Sequence, residues 1–235
     1  MQTAPPAHDP AAPVILVTRP EAAGRRFAGQ IADLGLRIVL APLMRIVPVP
    51  HDAALIEAAG GLVLTSENAV PHAGQGRGRP AICVGPRTAA AARAAGFAVR
   101  EGPGDAAGMM PMLEGLGPGW LHLRGVRAAA ELPVPAIIVY DQQPLPPGAG
   151  AAAVLGGTAP VILPLFSPRS AALAALAARG AAAPLWIVPI SAAAGAAWDS
   201  AAASAGLPAP ARRLTACRPD AAAMRAAIAR LAAAA

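Results

Sequence analysis

Short apolar runs recur along this chain and read as continuous rather than alternating. They are VILVT (14–18), RIVLA (37–41), GLVLT (61–65), AICVG (81–85), FAVR (97–100), GWLHL (119–123), AIIVY (136–140), PVILPLF (160–166), PLWIVPI (184–190) and RRLTAC (212–217). A strand with one wet face alternates apolar and polar residues. A strand apolar on both faces is covered on both, as in a parallel sheet between two layers of helix. Ala-rich helical stretches separate the runs, so the fold class expected is α/β, with parallel sheets. The first helix spans about Glu21 to Leu34 and stops at Gly35, and the last starts near Asp220. Ten strands are many for one open sheet in 235 residues, so two smaller sheets are expected.

Composition narrows what can fill those layers. Hydrophobic residues make up 55% and aromatics 3%, and Ala fills 65 positions. The core must be aliphatic and close-packed, and a chain this apolar is not a disordered one. The net charge is +6, and all 19 basic residues are Arg. Arg for Lys throughout, alongside so much Ala, is the mark of GC-rich coding, which discounts the pI as a sign of nucleic acid. The Arg residues are scattered and few aromatics are present to stack bases, so no nucleic-acid partner is expected. Arg suits a small polyanion instead, because its planar fork binds carboxylates bidentately.

Other classes drop out. Cys83 and Cys217 lie far apart in strand-like contexts and read as buried thiols in a reducing compartment, without a disulfide framework or metal spacing. His8, His51, His72 and His122 are not paired for a metal. His8 falls in the tail, His51 and His72 in exposed loops, and His122 is packed within a strand. The start, MQTAPPAHDPAAP, has no basic or apolar segment of a secretory signal, and the apolar stretch 171–198 is broken by Arg179, Pro184 and Pro189. A cytoplasmic protein with no membrane partner is expected.

Two Pro-rich segments, 41–51 and 139–148, divide the chain. Pro stiffens a linker into an extended form. If both cross between domains, 50–138 is an inserted domain and 14–41 joins 149–235. The other arrangement is two sequential domains meeting near 145, and spacing alone leaves both open. Residues 1–13 read as a disordered tail. A faint repeat links LTSENAV (64–70) and AICVGPRTAAAARAAGFAV (81–99) with LFSPRSAAL (165–173) and WIVPISAAAGAAW (186–198).

No Gly-rich dinucleotide loop, P-loop or nucleophile elbow occurs. What recurs is a hydroxyl or Arg just after a strand and before a helix: Thr18-Arg19-Pro20, Thr65-Ser66, Gly85-Pro86-Arg87-Thr88, Ser167-Pro168-Arg169 and Ser191, with Arg124 near the same level. In parallel sheets these positions share the carboxyl end, where open α/β folds bind ligands and helix N-termini favour anions. Ser and Thr there are also ordinary helix caps. Tyr140, the only Tyr, ends a strand at the second Pro-rich segment, where its phenol can either pack or donate a proton.

Taken in order, VILVTRPEAAGRRFAGQIADLG (14–35), LTSENAV (64–70), ICVGPRTAAAARAAGFAV (82–99), LHLRG (121–125), VY (139–140), FSPRSA (166–171), IS (190–191) and CRPDAAAM (217–224) resemble the uroporphyrinogen-III synthase family over most of 14–230. The resemblance implies two α/β domains joined by a two-stranded linker of 42–49 and 139–148, with a cleft between them. Domain 1 would be 14–41 plus 149–235, and domain 2 would be 50–138. It implies a cofactor-independent, monomeric lyase without a metal. This enzyme would close hydroxymethylbilane, a linear tetrapyrrole with eight carboxylates, to uroporphyrinogen III with loss of water and inversion of ring D. Tyr140 matches a Tyr proposed as the acid, and Ser66, Thr88 and Ser167 match the family's hydroxyl motifs. Thr18, Arg19, Arg124 and Ser191 complete the expected substrate contacts. Where many members carry Gly-Pro-x-Thr, this chain has Ile190-Ser191-Ala192-Ala193-Ala194 and lacks the Thr. The rival reading is a hinged α/β module that binds a small anion without changing it.

Overall fold

The computed structural model describes residues 11–128 and 130–233. Residues 1–10 of the expected tail, with His8, lie outside the described residues. Of the rest of that tail, Ala11 is exposed and Pro13 buried, and the chain enters the sheet at Val14, whose N–H donates to Pro160 O at 2.9 Å.

The strands are β1 (Val14–Val17), β2 (Arg37–Leu40), β3 (Met44–Pro48), β4 (Gly61–Leu64), β5 (Pro80–Cys83), β6 (Ala98–Glu101), β7 (Trp120–Gly125), β8 (Ala136–Pro144), β9 (Val161–Leu165), β10 (Leu185–Pro189) and β11 (Arg212–Arg213). The α-helices are α1 (Glu21–Ile31), α2 (Ala53–Ala58), α3 (Pro86–Ala94), α4 (Ala106–Leu113), α5 (Ala149–Leu155), α6 (Pro168–Ala177), α7 (Ala192–Ala205) and α8 (Ala221–Ala233). Short 3₁₀ helices follow at Ala32–Leu34 and Glu67–His72.

The chain divides into two compact units, one holding residues through 45 and from 144 onward, the other 46–143. The first unit has a sheet in the order β11-β10-β9-β1-β2, parallel throughout. The second has the order β3-β8-β7-β4-β5-β6, with parallel pairing from β8 to β6.

The two sheets share one plan. In the first, β1 leads to β2 on one side, and the chain returns to place β9 on the other. In the second, β4 leads through β5 to β6, and β7 returns to the far side of β4. Each sheet thus has a topological switch point, between β1 and β9 and between β4 and β7. The faint repeat has a structural counterpart, because β4 pairs with β5 as β9 pairs with β10.

Both faces of each sheet are covered, which is why the strands are unbroken apolar runs. Along β1, Val14 and Leu16 pack with α5, α6 and α7, while Ile15 and Val17 pack with Phe27 of α1 and Met224 and Ile228 of α8. Along β4, Leu62 and Leu64 face the side of Ala89 and Ala92 of α3, and Val63 faces Met109 and Leu113 of α4. Small residues allow the close approach, with Ala171, Ala174 and Ala175 of α6 and Ala194 of α7 all buried.

β3 and β8, which fall on the two Pro-rich segments, are neighbouring strands in the second unit's sheet. Val49 N–H donates to Val139 O and Leu145 N–H to Leu43 O, so the two run in opposite directions. Pro48 and Pro144 close these strands, where a missing N–H interrupts no ladder. The run 212–217 is a strand only at Arg212–Arg213. Beyond it Ala216 turns inward and Cys217 outward on the sheet's edge, so Cys217 is exposed and only Cys83 is a buried thiol. His51 and His72 are partly buried rather than exposed, stacked edge-to-face with centroids 5.3 Å apart. Among the described residues, no helix is long and apolar enough to cross a membrane.

Candidate functional site

In the first unit, the switch point gathers Thr18 and Arg19 after β1 and Ser167 after β9, with Ser191 after the neighbouring β10. Thr18 is buried, and its carbonyl accepts from Leu43 N–H at 3.1 Å. The guanidinium carbon of Arg19 stands over the Phe166 ring, 4.0 Å from its centroid, and Phe166 meets Phe27 edge-on. Ser167 heads α6 in a capping box with Ser170, each hydroxyl satisfying the other's backbone N–H. Ser191 heads α7 and accepts from Ala194 N–H at 3.3 Å.

In the second unit, the switch point gathers Thr65 and Ser66 after β4 and Arg124 near the end of β7. Ser66 accepts from Asn68 N–H at 3.2 Å and caps the 3₁₀ helix. Arg124 donates to Glu131 at 2.8 Å. Thr88 sits in the first turn of α3 and is buried, behind Gly85, which caps without a side chain.

Tyr140 lies on β8 beside Gly125 of β7, where the register slips between Arg124 and Gly125. The Tyr140 ring is buried and lies over the bare α-carbon of Gly125.

Helix capping thus employs three of the predicted residues, Ser66, Ser167 and Ser191. A hydroxyl that accepts from the backbone still carries its own O–H. The motif departure also has a structural form. The helix after β5 has Gly85 at its cap and Thr88 three residues on. The helix after β10 has Ser191 at its cap and buried Ala194 three residues on, so the hydroxyl has moved from the first turn to the cap.

Sequence reasoning missed the contact between Thr65 Oγ1 and His122 Nε2, 3.0 Å long. Burial pushes His122 down to about 4, with the Arg124 charge adding to that and Glu131 opposing it. Loop 71–80 is a second feature not legible in the sequence. Arg79 in that loop donates to the carbonyls of Ile56, Ala59 and Ala73, and burial lowers its guanidinium from its ordinary value. Among the described residues, no group of three or more His, Cys, Asp or Glu is placed to hold a metal ion.

The family model of uroporphyrinogen-III synthase HemD matches residues 25–209. The chain belongs to the uroporphyrinogen-III synthase family. These synthases are cyclising lyases of the tetrapyrrole pathway. The match encloses Ser66, Thr88, Arg124, Tyr140, Ser167 and Ser191, while Thr18 and Arg19 lie before it. The fold agrees. The crystal structure of the Helicobacter pylori synthetase is 16% identical, with a TM-score of 0.61 over 94% of this chain and 99% of that one. A mutant synthase from the extremely thermophilic bacterium Thermus thermophilus is 15% identical, with a TM-score of 0.50 over 95% of this chain and 99% of that one. No curated protein sequence matches.

Proposed function

We propose that this chain closes hydroxymethylbilane to uroporphyrinogen III, with loss of water and inversion of ring D. The family match over residues 25–209 carries the reading. The chemistry found at the carboxyl ends of the two sheets supports it. The substrate presents eight carboxylates, which suit Arg forks, hydroxyl donors and helix N-termini. Thr18, Arg19, Ser167 and Ser191 in one unit, and Ser66, Thr88 and Arg124 in the other, are the assigned contacts.

Loss of the hydroxyl leaves a cation delocalised into the pyrrole, so the step needs a proton for the departing oxygen but no nucleophile. Tyr140 is the assigned donor, held in orientation by its packing over Gly125. Closure without inversion proceeds in solution, so the larger task is to hold one conformer of a flexible chain. Many weak, well-placed contacts serve that task better than one strongly perturbed group. We place the enzyme in the cytoplasm and assign it a monomeric state.

The test is to supply freshly generated hydroxymethylbilane, oxidise the product and separate the porphyrin isomers. Isomer III supports the reading. Isomer I alone, at the uncatalysed rate, overturns it.

A further inference from the structure

His122 and Thr65 carry no assigned role in that chemistry, yet they bridge the switch point of the second unit. His122 is on β7 and Thr65 directly follows β4, and the two strands are paired neighbours. The ring nitrogen Nε2 stands 3.0 Å from Oγ1 across a separation of 57 residues. His122 is 2% exposed, while Thr65 is half-buried and adjoins Ser66.

Burial keeps the imidazole neutral at physiological pH. A neutral imidazole has one N–H and one lone-pair nitrogen, so its tautomer decides which way this hydrogen bond runs. With the proton on Nδ1, Thr65 must donate its only hydrogen to the ring, and it can then only accept from elsewhere. With the proton on Nε2, the ring donates to Oγ1 and the Thr65 hydrogen is left to point at another acceptor. A polycarboxylate offers acceptors, so only the second arrangement makes Thr65 a binding group.

We propose that His122 is a positioning residue. As the Nε2–H tautomer it fixes Thr65 Oγ1 at the switch point and commits the Thr65 hydroxyl to donating to a substrate carboxylate. This rests on the polycarboxylate reading above.

Two measurements test it. In protein labelled with nitrogen-15 at its four His, long-range nitrogen–proton correlation identifies each tautomer, and His122→Gln assigns the His122 signal. The expected result is protonation at Nε2; protonation at Nδ1 overturns the proposal without any variant having to fold. The second measurement is a double-mutant cycle in KM for hydroxymethylbilane. Thr65→Val and His122→Phe should each raise KM roughly 2- to 10-fold, the range of one lost hydrogen bond. The double variant should be no worse than the poorer single one, and Thr65→Ser should retain the wild-type KM. Assays are run below the melting transition of every variant, and if His122→Phe does not fold, the tautomer and Thr65→Val decide. Unchanged KM in Thr65→Val, or effects that multiply in the double variant, overturn the proposal. If wild type gives no isomer III, the polycarboxylate reading falls and takes this inference with it. If wild type does give isomer III and the cycle is multiplicative, only the inference falls.

Discussion

The ring of Tyr140 occupies the space that a side chain on Gly125 would fill: a β-carbon there would stand 2.7 Å from Cε2 and 2.8 Å from Cζ. Tyr140 is 4% exposed, so its ring has little room to give way. Gly125→Ala should therefore destabilise the second unit by about 1–3 kcal/mol, the usual cost of overpacking. It should also lower turnover, because the phenol must shift. Urea unfolding and initial rates on the same preparation check both. Unchanged stability and unchanged turnover would show that the ring relaxes freely.

Tyr140→Phe separates the phenol from the packing. The ring and its fit over Gly125 survive, so the melting temperature should hold. As general acid the hydroxyl would be worth about 10²–10⁴-fold, but the leaving group is already activated by its pyrrole and water can substitute. Turnover should fall by about 10²-fold or less, with KM little changed. Full activity at unchanged stability would make Tyr140 a packing residue.

His122 gives the stability a pH dependence of known sign. Its folded value, about 4, lies below the ordinary 6.5, because burial penalises the charged ring. As the pH falls through 6.5 the unfolded chain takes up the proton first, so stability declines from there to about pH 4 and then levels. A shift of this size corresponds to a loss of up to about 3 kcal/mol. Urea midpoints followed across this window should fall in wild type. They should fall less in His122→Phe, which lacks the titrating group. Parallel slopes in both proteins would assign the effect elsewhere.

Arg79 is the Arg that should not matter for substrate. Its guanidinium ties the carbonyls of Ile56 and Ala59, at the end of α2, to that of Ala73, and Arg79→Met would take this donor from the Ala59 and Ala73 carbonyls. A loss of about 1–3 kcal/mol in stability is expected, with the product isomer ratio unchanged. Arg19→Met should raise KM, with a stability cost of roughly 0.5–1 kcal/mol from the lost stacking on Phe166. An equal effect of both on KM would mean that the charge acts through the whole field rather than by contact.

Much of the fold was legible, and for a physical reason. Runs such as VILV of β1 and GLVL of β4 are apolar at every position because both faces are covered, so burial wrote itself into consecutive residues. The misreadings lie where that signal fades. At β11 only Arg212–Arg213 form regular strand, though Leu214 and Ala216 still donate to β10, and Thr215 and Cys217 turn to solvent on an edge. Helix α2 is only six residues long, announced by the Asp52 cap alone, and α4 carries Pro111 inside it. For the site, positions after strands could be read, because caps and ligand contacts use the same residues. The partners could not. Tyr140 over Gly125 depends on a register slip between β7 and β8, and Thr65 meets His122 only because β7 returns beside β4.

Under the function we propose, this chain imposes ring inversion on a reaction that otherwise closes without it. The decisive quantity is the fraction of isomer III, measured against protein concentration at fixed hydroxymethylbilane. That fraction should rise with protein and approach complete isomer III once catalysis outruns spontaneous closure. Isomer I at the background rate across the whole concentration range, from folded protein, would overturn the proposed function.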